Sequence, residues 1–185
     1  GSYIICAHYD ATAVRTSDWD WEKDPAPGAD DNASGVALVI ESARVLSRLE
    51  LPWSIHFIAF SGEELGLIGS RYYAEDALQK GEKILGVFNF DMIGFNDVYD
   101  RLELVSNPAS NWMAEQMQKV NQLYGIGLRI DLLSDGGAGL SDHAPFWARG
   151  YDAILGIENY LPTDPFSTGV VGGLYRLNSQ YHSVL

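Results

Sequence analysis

The chain has 185 residues, of which 46% are hydrophobic and 20% charged, as is typical of one globular domain with a sizeable core. Its formal net charge of −13 argues against nucleic acid or an anionic membrane surface as a partner, because both require basic patches. The single cysteine, Cys6, excludes an intrachain disulfide. No apolar run approaches the ~20 residues that span a bilayer.

Uncharged apolar runs and helical periodicities alternate along the chain, and they predict alternating strands and helices. In order, the predicted elements are a strand at 3–7, a helix at 33–49, a strand at 53–60, a helix at 67–78 that stops at Gly81, strands at Ile84–Phe90 and 102–105, a helix at 108–124 with Pro108 in its first turn, an edge strand at 128–133, a short helix at 142–149 and a strand at Ala153–Ile157. The remaining segments, notably 11–29, 134–140 and 159–181, are predicted loops.

This alternation predicts a single α/β domain over residues 1–185, with helices on both faces of a mostly parallel, twisted sheet. Ligand sites in such folds lie beyond the carboxyl ends of the strands. His8, the pair Glu63 and Glu64, and Asp91 all follow apolar runs at such positions. We therefore expect imidazole and carboxylate groups to meet at one edge of the sheet.

The adjacent carboxylates of Glu63 and Glu64 suggest a division of labour. Two charges at the end of a buried strand are unfavourable unless something binds them. Neighbouring side chains on an extended backbone point to opposite sides, so Glu64 could bind a cation while Glu63 handles a proton. Taken alone, each motif has a simpler explanation: a structural histidine, a strand-end turn, or capping of the next helix by residues 30–32.

Six motifs occur in order over nearly the whole chain: AHYD at 7–10, PGADDNASG at 27–35, EELGLIGS at 63–70, DMIG at 91–94, SDHAPF at 141–146 and YHS at 181–183. The ordered set resembles the co-catalytic di-zinc aminopeptidases, which are leucyl-aminopeptidase-like exopeptidases related to glutaminyl cyclases. The resemblance implies the zinc-exopeptidase fold, a phosphorylase/hydrolase-like sandwich. It also implies hydrolysis of N-terminal, preferably apolar, residues from peptide substrates, two zinc ions, and an extracellular or periplasmic location.

The resemblance further implies a ligand set. Asp30 would bridge the two zinc ions, His8 and Asp91 would complete one site, and Glu64 and His182 would complete the other. The family also implies a cis peptide bond after Asp30. Mixed imidazole and carboxylate ligands suit catalytic zinc.

Other residues receive supporting roles from the same resemblance. Glu63 would act as the general base, and Asp10 would orient the imidazole two residues before it. Asp142, His143 and Tyr181 are candidates for lining the substrate site. Asp142 could instead cap the short helix that follows it.

Two alternatives remain open. A glutaminyl cyclase would share the fold and use one zinc, but the glycine-rich continuation at 65–70 and Tyr181 favour the peptidase. A non-catalytic binding module is also conceivable, although such relatives lose ligands that this chain retains. Family members carry further segments before the His8 strand and after the last histidine. If the protein lacks them, we expect association through the uncovered apolar surface of the sheet.

Overall fold

The computed structural model describes residues 1–95, 101–158, 170–171, 175–176 and 178–184. Its elements in chain order are β1 (Ser2–His8), α1 (Ala33–Leu46), β2 (Ser54–Phe60), α2 (Ile68–Lys80), β3 (Ile84–Phe90), β4 (Arg101–Ser106), α3 (Asn111–Leu123), β5 (Arg129–Ser134), α4 (Ala144–Trp147), β6 (Ala153–Ile157), β7 (Val170–Val171) and β8 (Tyr175–Arg176). Within these residues, no helix has the length and apolarity needed to cross a bilayer.

Six strands form one sheet in the order β2-β1-β3-β6-β4-β5, and β7 and β8 form a separate antiparallel pair. Strands β1, β2, β3 and β6 are mutually parallel, while β4 pairs antiparallel with β6 and parallel with β5. The predicted mostly parallel sheet is therefore confirmed. The carboxyl ends of β1, β2, β3 and β6 share one edge, and the predicted functional residues lie there.

Helices cover both faces of the sheet, as predicted. Helices α2 and α4 contribute Ala74, Ala77 and Phe146 to a core that includes Cys6 and Val87 on the sheet. Helix α3 contributes Met113 and Ala114 to a second core, which includes the neighbouring Phe88. Because consecutive residues of a strand point to opposite faces, these two cores lie on opposite sides of the sheet.

Most predicted elements are confirmed, with shifts at their ends. Helix α2 stops at Gly81, whose φ of +65° is the left-handed conformation that favours glycine. Helix α3 begins at Asn111 rather than at 108, because the Asn107 side chain accepts the N–H of Ser110 at 2.9 Å and forms a turn around Pro108. The predicted loop at 159–181 contains β7 and β8 and ends in the described residues 178–181, whereas residues 159–169, 172–174 and 177 lie outside the described part of the chain.

Candidate metal centre

Two groups of three side chains meet at the carboxyl edge of the sheet. Within each group, potential ligand atoms lie within 4.8 Å of one another: His8, Glu63 and Asp91 form one group, and Asp31, Glu64 and His182 form the other. The two groups join at Asp31. Its Oδ1 lies 3.1 Å from Nε2 of His8, and its Oδ2 lies 3.0 Å from Nε2 of His182.

The remaining short contacts complete each group. Nε2 of His8 lies 3.2 Å from Oδ1 of Asp91, and Nε2 of His182 lies 3.1 Å from Oε2 of Glu64. Four of the five predicted ligand residues are thus brought together: His8, Glu64, Asp91 and His182. Glu63, the predicted base, lies in the same cluster.

The prediction that Asp30 lies between the two half-sites is wrong by one residue. Asp31 occupies that position, and the cis peptide bond likewise follows Asp31 rather than Asp30. The carboxylate of Asp30 is engaged elsewhere: its Oδ1 accepts the N–H of Gly94 and its Oδ2 accepts the amide of Asn178, both at 2.8 Å.

Local packing fixes the position of Asp31. The next residue, Asn32, is the N-cap of α1 and its side chain accepts the N–H of Gly35 at 3.0 Å. The Asn32 amide also donates to the carbonyl of Phe90 at 2.9 Å. A Cβ at Gly35 would lie 2.5 Å from that same carbonyl, so only glycine lets the helix start this close to the end of β3.

Asp10 connects His8 to the glutamate pair in an unexpected way. Its backbone carbonyl, at 3.0 Å, is the hydrogen-bond partner of Nδ1 of His8, which leaves Nε2 free to act as a ligand. The carboxylate instead accepts the backbone N–H groups of Glu63 at 3.1 Å and Glu64 at 3.2 Å. Asp10 therefore orients the imidazole through its main chain and the Glu63–Glu64 turn through its side chain.

A buried hydrogen-bond chain supports Asp91 from behind. Oδ2 of Asp91 accepts the hydroxyl of Ser141 at 2.7 Å, and that hydroxyl accepts the amide of Asn89 at 2.8 Å. Asn89 and Ser141 are both buried. One oxygen of Asp91 is thus held by the protein interior, and the other faces Nε2 of His8.

The electrostatics of the cluster fit bound cations. Burial, reinforced by Asp91, raises the pKa of Glu63 to about 9, although His8 opposes the rise. Burial lowers the pKa of His8, but the carboxylates of Asp31 and Asp91 outweigh it and raise the pKa to about 12. Oε1 of Glu64 is buried and has no hydrogen-bond partner. Bound metal ions would neutralise the charge of these closely spaced carboxylates and would give Oε1 of Glu64 a partner.

The cluster opens into a cavity of about 410 Å³. Two of the predicted substrate residues, His143 and Tyr181, line it; the apolar part of the wall comes from Leu67, Met92, Leu140, Leu155 and Ile157. Asp142 does not line this cavity. It is fully buried behind the site, and His143 rather than Asp142 is the N-cap residue of α4. Neither role predicted for Asp142 is therefore observed.

Sequence reasoning missed Glu158. It follows β6 directly, at the same edge as the ligands, and it lines the cavity while being fully buried. The signal was present, since Glu158 follows an apolar run just as His8 and Asp91 do.

Comparison with known proteins decides the family. The signature of peptidase family M28 matches residues 1–180. The chain belongs to this family. It is 35% identical over 166 residues to aminopeptidase YwaD of Bacillus subtilis, covering 87% of this chain and 32% of that protein.

Solved structures agree with this assignment. The crystal structure of BSAP, a zinc aminopeptidase from Bacillus subtilis, superposes with a TM-score of 0.72 at 29% identity, covering 98% of this chain and 39% of that one. A glutaminyl cyclase from Porphyromonas gingivalis superposes with a TM-score of 0.69 at 22% identity over 99% of this chain and 64% of that one, which shows the common fold alone. The chain spans about a third of the length of YwaD.

Proposed function

We propose that this chain carries the catalytic centre of a zinc aminopeptidase, which removes N-terminal residues from peptides by means of two zinc ions. The observation that carries this proposal is the position of Asp31, whose two carboxylate oxygens face the two histidines on either side. One carboxylate shared between two mixed imidazole–carboxylate groups is the arrangement that suits a two-metal site. The absence of cysteine from both groups fits a catalytic zinc site.

The residues would divide into two half-sites. His8 and Asp91 would hold one zinc, Glu64 and His182 the other, and Asp31 would contact both. Bound zinc would supply Lewis-acid chemistry and make water a stronger acid at neutral pH. The ligands would need to lose their protons on binding, which the raised pKa values of His8 and His182, about 12 and about 9, oppose in the metal-free protein.

Glu63 would then act as the general base and later as the acid toward the leaving amine. Its place beside His8 and Asp91 puts it within reach of the centre. A base must be ionised at the working pH, and the pKa of about 9 reflects burial among uncompensated carboxylates. Positive charge at the centre would bring this pKa back toward its usual range.

The cavity wall supports an apolar preference for the N-terminal side chain. Leu67, Leu155 and Ile157 offer an aliphatic surface next to the ligand cluster. The net charge of −13 favours approach of a cationic α-amine. An extracellular or periplasmic location remains part of the proposal, as do peptides as its substrates.

The proposed roles of Glu63 as general base and Glu64 as zinc ligand can be tested separately by mutation. Glu63→Gln should still bind two zinc ions but lose about 10²–10⁴-fold in kcat on an aminoacyl arylamide, because only the proton carrier is removed. Glu64→Ala should lose zinc from one half-site, as measured by metal analysis after dialysis. Glu115→Gln, an exposed change on α3, is the matched control and should retain both properties.

Two outcomes would overturn the proposal. Near-wild-type turnover in Glu63→Gln would refute the general-base role. One zinc per wild-type chain, together with activity on an N-terminal glutamine peptide and none on the arylamide, would favour a glutaminyl cyclase instead.

A further inference from the structure

Side-chain oxygens accept the backbone N–H groups of the loop that follows Asp91. Four successive backbone N–H groups, those of residues 92–95, each donate to a different side-chain oxygen. In order, the acceptors are Oδ1 of Asn32 at 3.3 Å, Oγ of Ser34 at 3.1 Å, Oδ1 of Asp30 at 2.8 Å and Oε2 of Glu158. Three acceptors come from the segment around Asp31, and the fourth comes from the end of β6.

Glu158 holds this loop from both sides. Its backbone N–H donates to the carbonyl of Met92 at 2.8 Å, and its side chain accepts the N–H of Phe95. Met92 has a positive φ of 53°, a conformation that a non-glycine residue adopts only where its surroundings impose it. The residue directly after Asp91 is therefore fixed in an unfavourable backbone conformation, and Glu158 contributes to fixing it.

The side chains of Asp30 and Glu158 lie within hydrogen-bonding reach of each other, and they accept the consecutive N–H groups of Gly94 and Phe95. Asp30 already accepts two hydrogen bonds, from Gly94 and from Asn178. Glu158 is fully buried, and its Oε1 has no donor facing it. A proton on Glu158 gives its Oε1 a partner and removes the repulsion between two carboxylates, because the carboxyl group of Glu158 then donates a hydrogen bond to Asp30.

The chemistry of the site agrees with this protonation. Burial and the neighbouring charge of Asp30 raise the pKa of Glu158 to about 10, and the hydrogen bond from Phe95 opposes the rise only in part. A neutral carboxylic acid can donate one hydrogen bond and accept another, as this position requires.

We propose that Glu158 is a positioning residue, which fixes the loop after Asp91 against the turn that carries Asp31. This inference rests on the proposed metal centre. The link runs from Phe95 through the neutral carboxyl of Glu158 to Asp30, so it joins two ligand-bearing segments that are far apart in sequence. Residues that orient metal ligands in this way typically change metal affinity ~10–100-fold when they are removed.

The experiment compares two substitutions of nearly equal size. In Glu158→Gln, the side chain can still accept from Phe95 and donate to Asp30, so zinc affinity should stay close to that of the wild type. In Glu158→Met, it can do neither, and zinc affinity, measured by competition with a chelator, should fall ~10–100-fold. Glu103→Met is the matched control: Glu103 is an equally buried acid on β4 that pairs with Arg101 at 3.0 Å, so its loss should lower thermal stability without changing zinc affinity.

Infrared spectroscopy tests the proton directly and independently of zinc. The infrared difference spectrum, wild type minus Glu158→Gln, should show the carbonyl band of a protonated carboxylic acid. Absence of that band, zinc affinity in Glu158→Gln as low as in Glu158→Met, or unchanged affinity in Glu158→Met would each overturn the inference. Failure of the wild-type protein to bind zinc would instead overturn the proposed function, so the two failures are distinguishable.

Discussion

His143 offers a test of how burial at the cavity wall affects stability. The imidazole is fully buried; its Nε2 lies 2.6 Å from the carbonyl of Ala138, and its Nδ1 has no partner. Burial lowers its pKa from 6.5 to about 4, and the hydrogen bond with Ala138 opposes this shift without cancelling it. The histidine is therefore neutral in the folded protein over a pH range in which the unfolded chain takes up a proton.

The sign and size of the effect follow from this difference. Above pH 6.5 the imidazole of His143 is neutral in both the folded and the unfolded state, so it does not make the free energy of unfolding depend on pH. As the pH falls from 6.5 to about 4, only the unfolded state gains the proton, so the folded protein loses stability. The pKa difference corresponds to about 3 kcal/mol of unfolding free energy at the acid end of this window.

The assay is urea denaturation of the metal-free protein between pH 7 and pH 4. His143→Gln, whose amide can replace the donor to Ala138 but cannot be protonated, should lose about 3 kcal/mol less than the wild type over this range. His56→Gln, a change at a partly exposed histidine of β2 that contacts Tyr73 at 3.1 Å, is the control and should follow the wild-type curve more closely. Identical pH dependence in His143→Gln and wild type would refute the reasoning.

Two further predictions concern the ligands. Asp10→Ala removes the acceptor of the Glu63 and Glu64 N–H groups and should lower zinc affinity ~10–100-fold in chelator competition; an unchanged affinity would show that the turn keeps its shape without this carboxylate. Zinc binding at pH 7 should release about three protons, because the raised pKa values of His8, His182 and Glu63 keep all three groups protonated until the bound metal displaces the two imidazole protons and lowers the pKa of Glu63. Calorimetry in buffers of different ionisation enthalpy measures this release, and a binding heat independent of the buffer would contradict it.

The strand-end pattern carried most of what the sequence could predict about the site. His8, Glu64 and Asp91 follow apolar runs that form parallel strands, and the carboxyl ends of such strands must share an edge. The pattern could not distinguish Asp30 from Asp31, because both are aspartates in one turn and the backbone path decides which carboxylate faces the histidines. Helix capping is predicted for residues 30–32 as a group, and Asn32 performs it.

The supporting contacts were harder to predict, because they depend on chain segments that meet only in the fold. Asp10 is predicted to orient His8, but the sequence does not indicate that its main-chain carbonyl does so while its carboxylate accepts two N–H groups across the β1–β2 edge. The hold of Glu158 on the loop at 92–95 likewise involves residues more than 60 positions apart. Such pairings leave no periodic trace in the sequence.

The position of His182 has a consequence for the order in which the proposed metal centre is assembled. Its segment docks on the loop after β1, where its carbonyl accepts the N–H of Arg15 at 3.0 Å and the N–H of Val184 donates to Thr16 at 3.1 Å. During synthesis the early strands can pair before this segment leaves the ribosome. The nascent chain would then hold His8 and Asp91 in place without the second half-site, so the proposed two-metal centre would be complete only after the late segment had docked on the loop that follows β1.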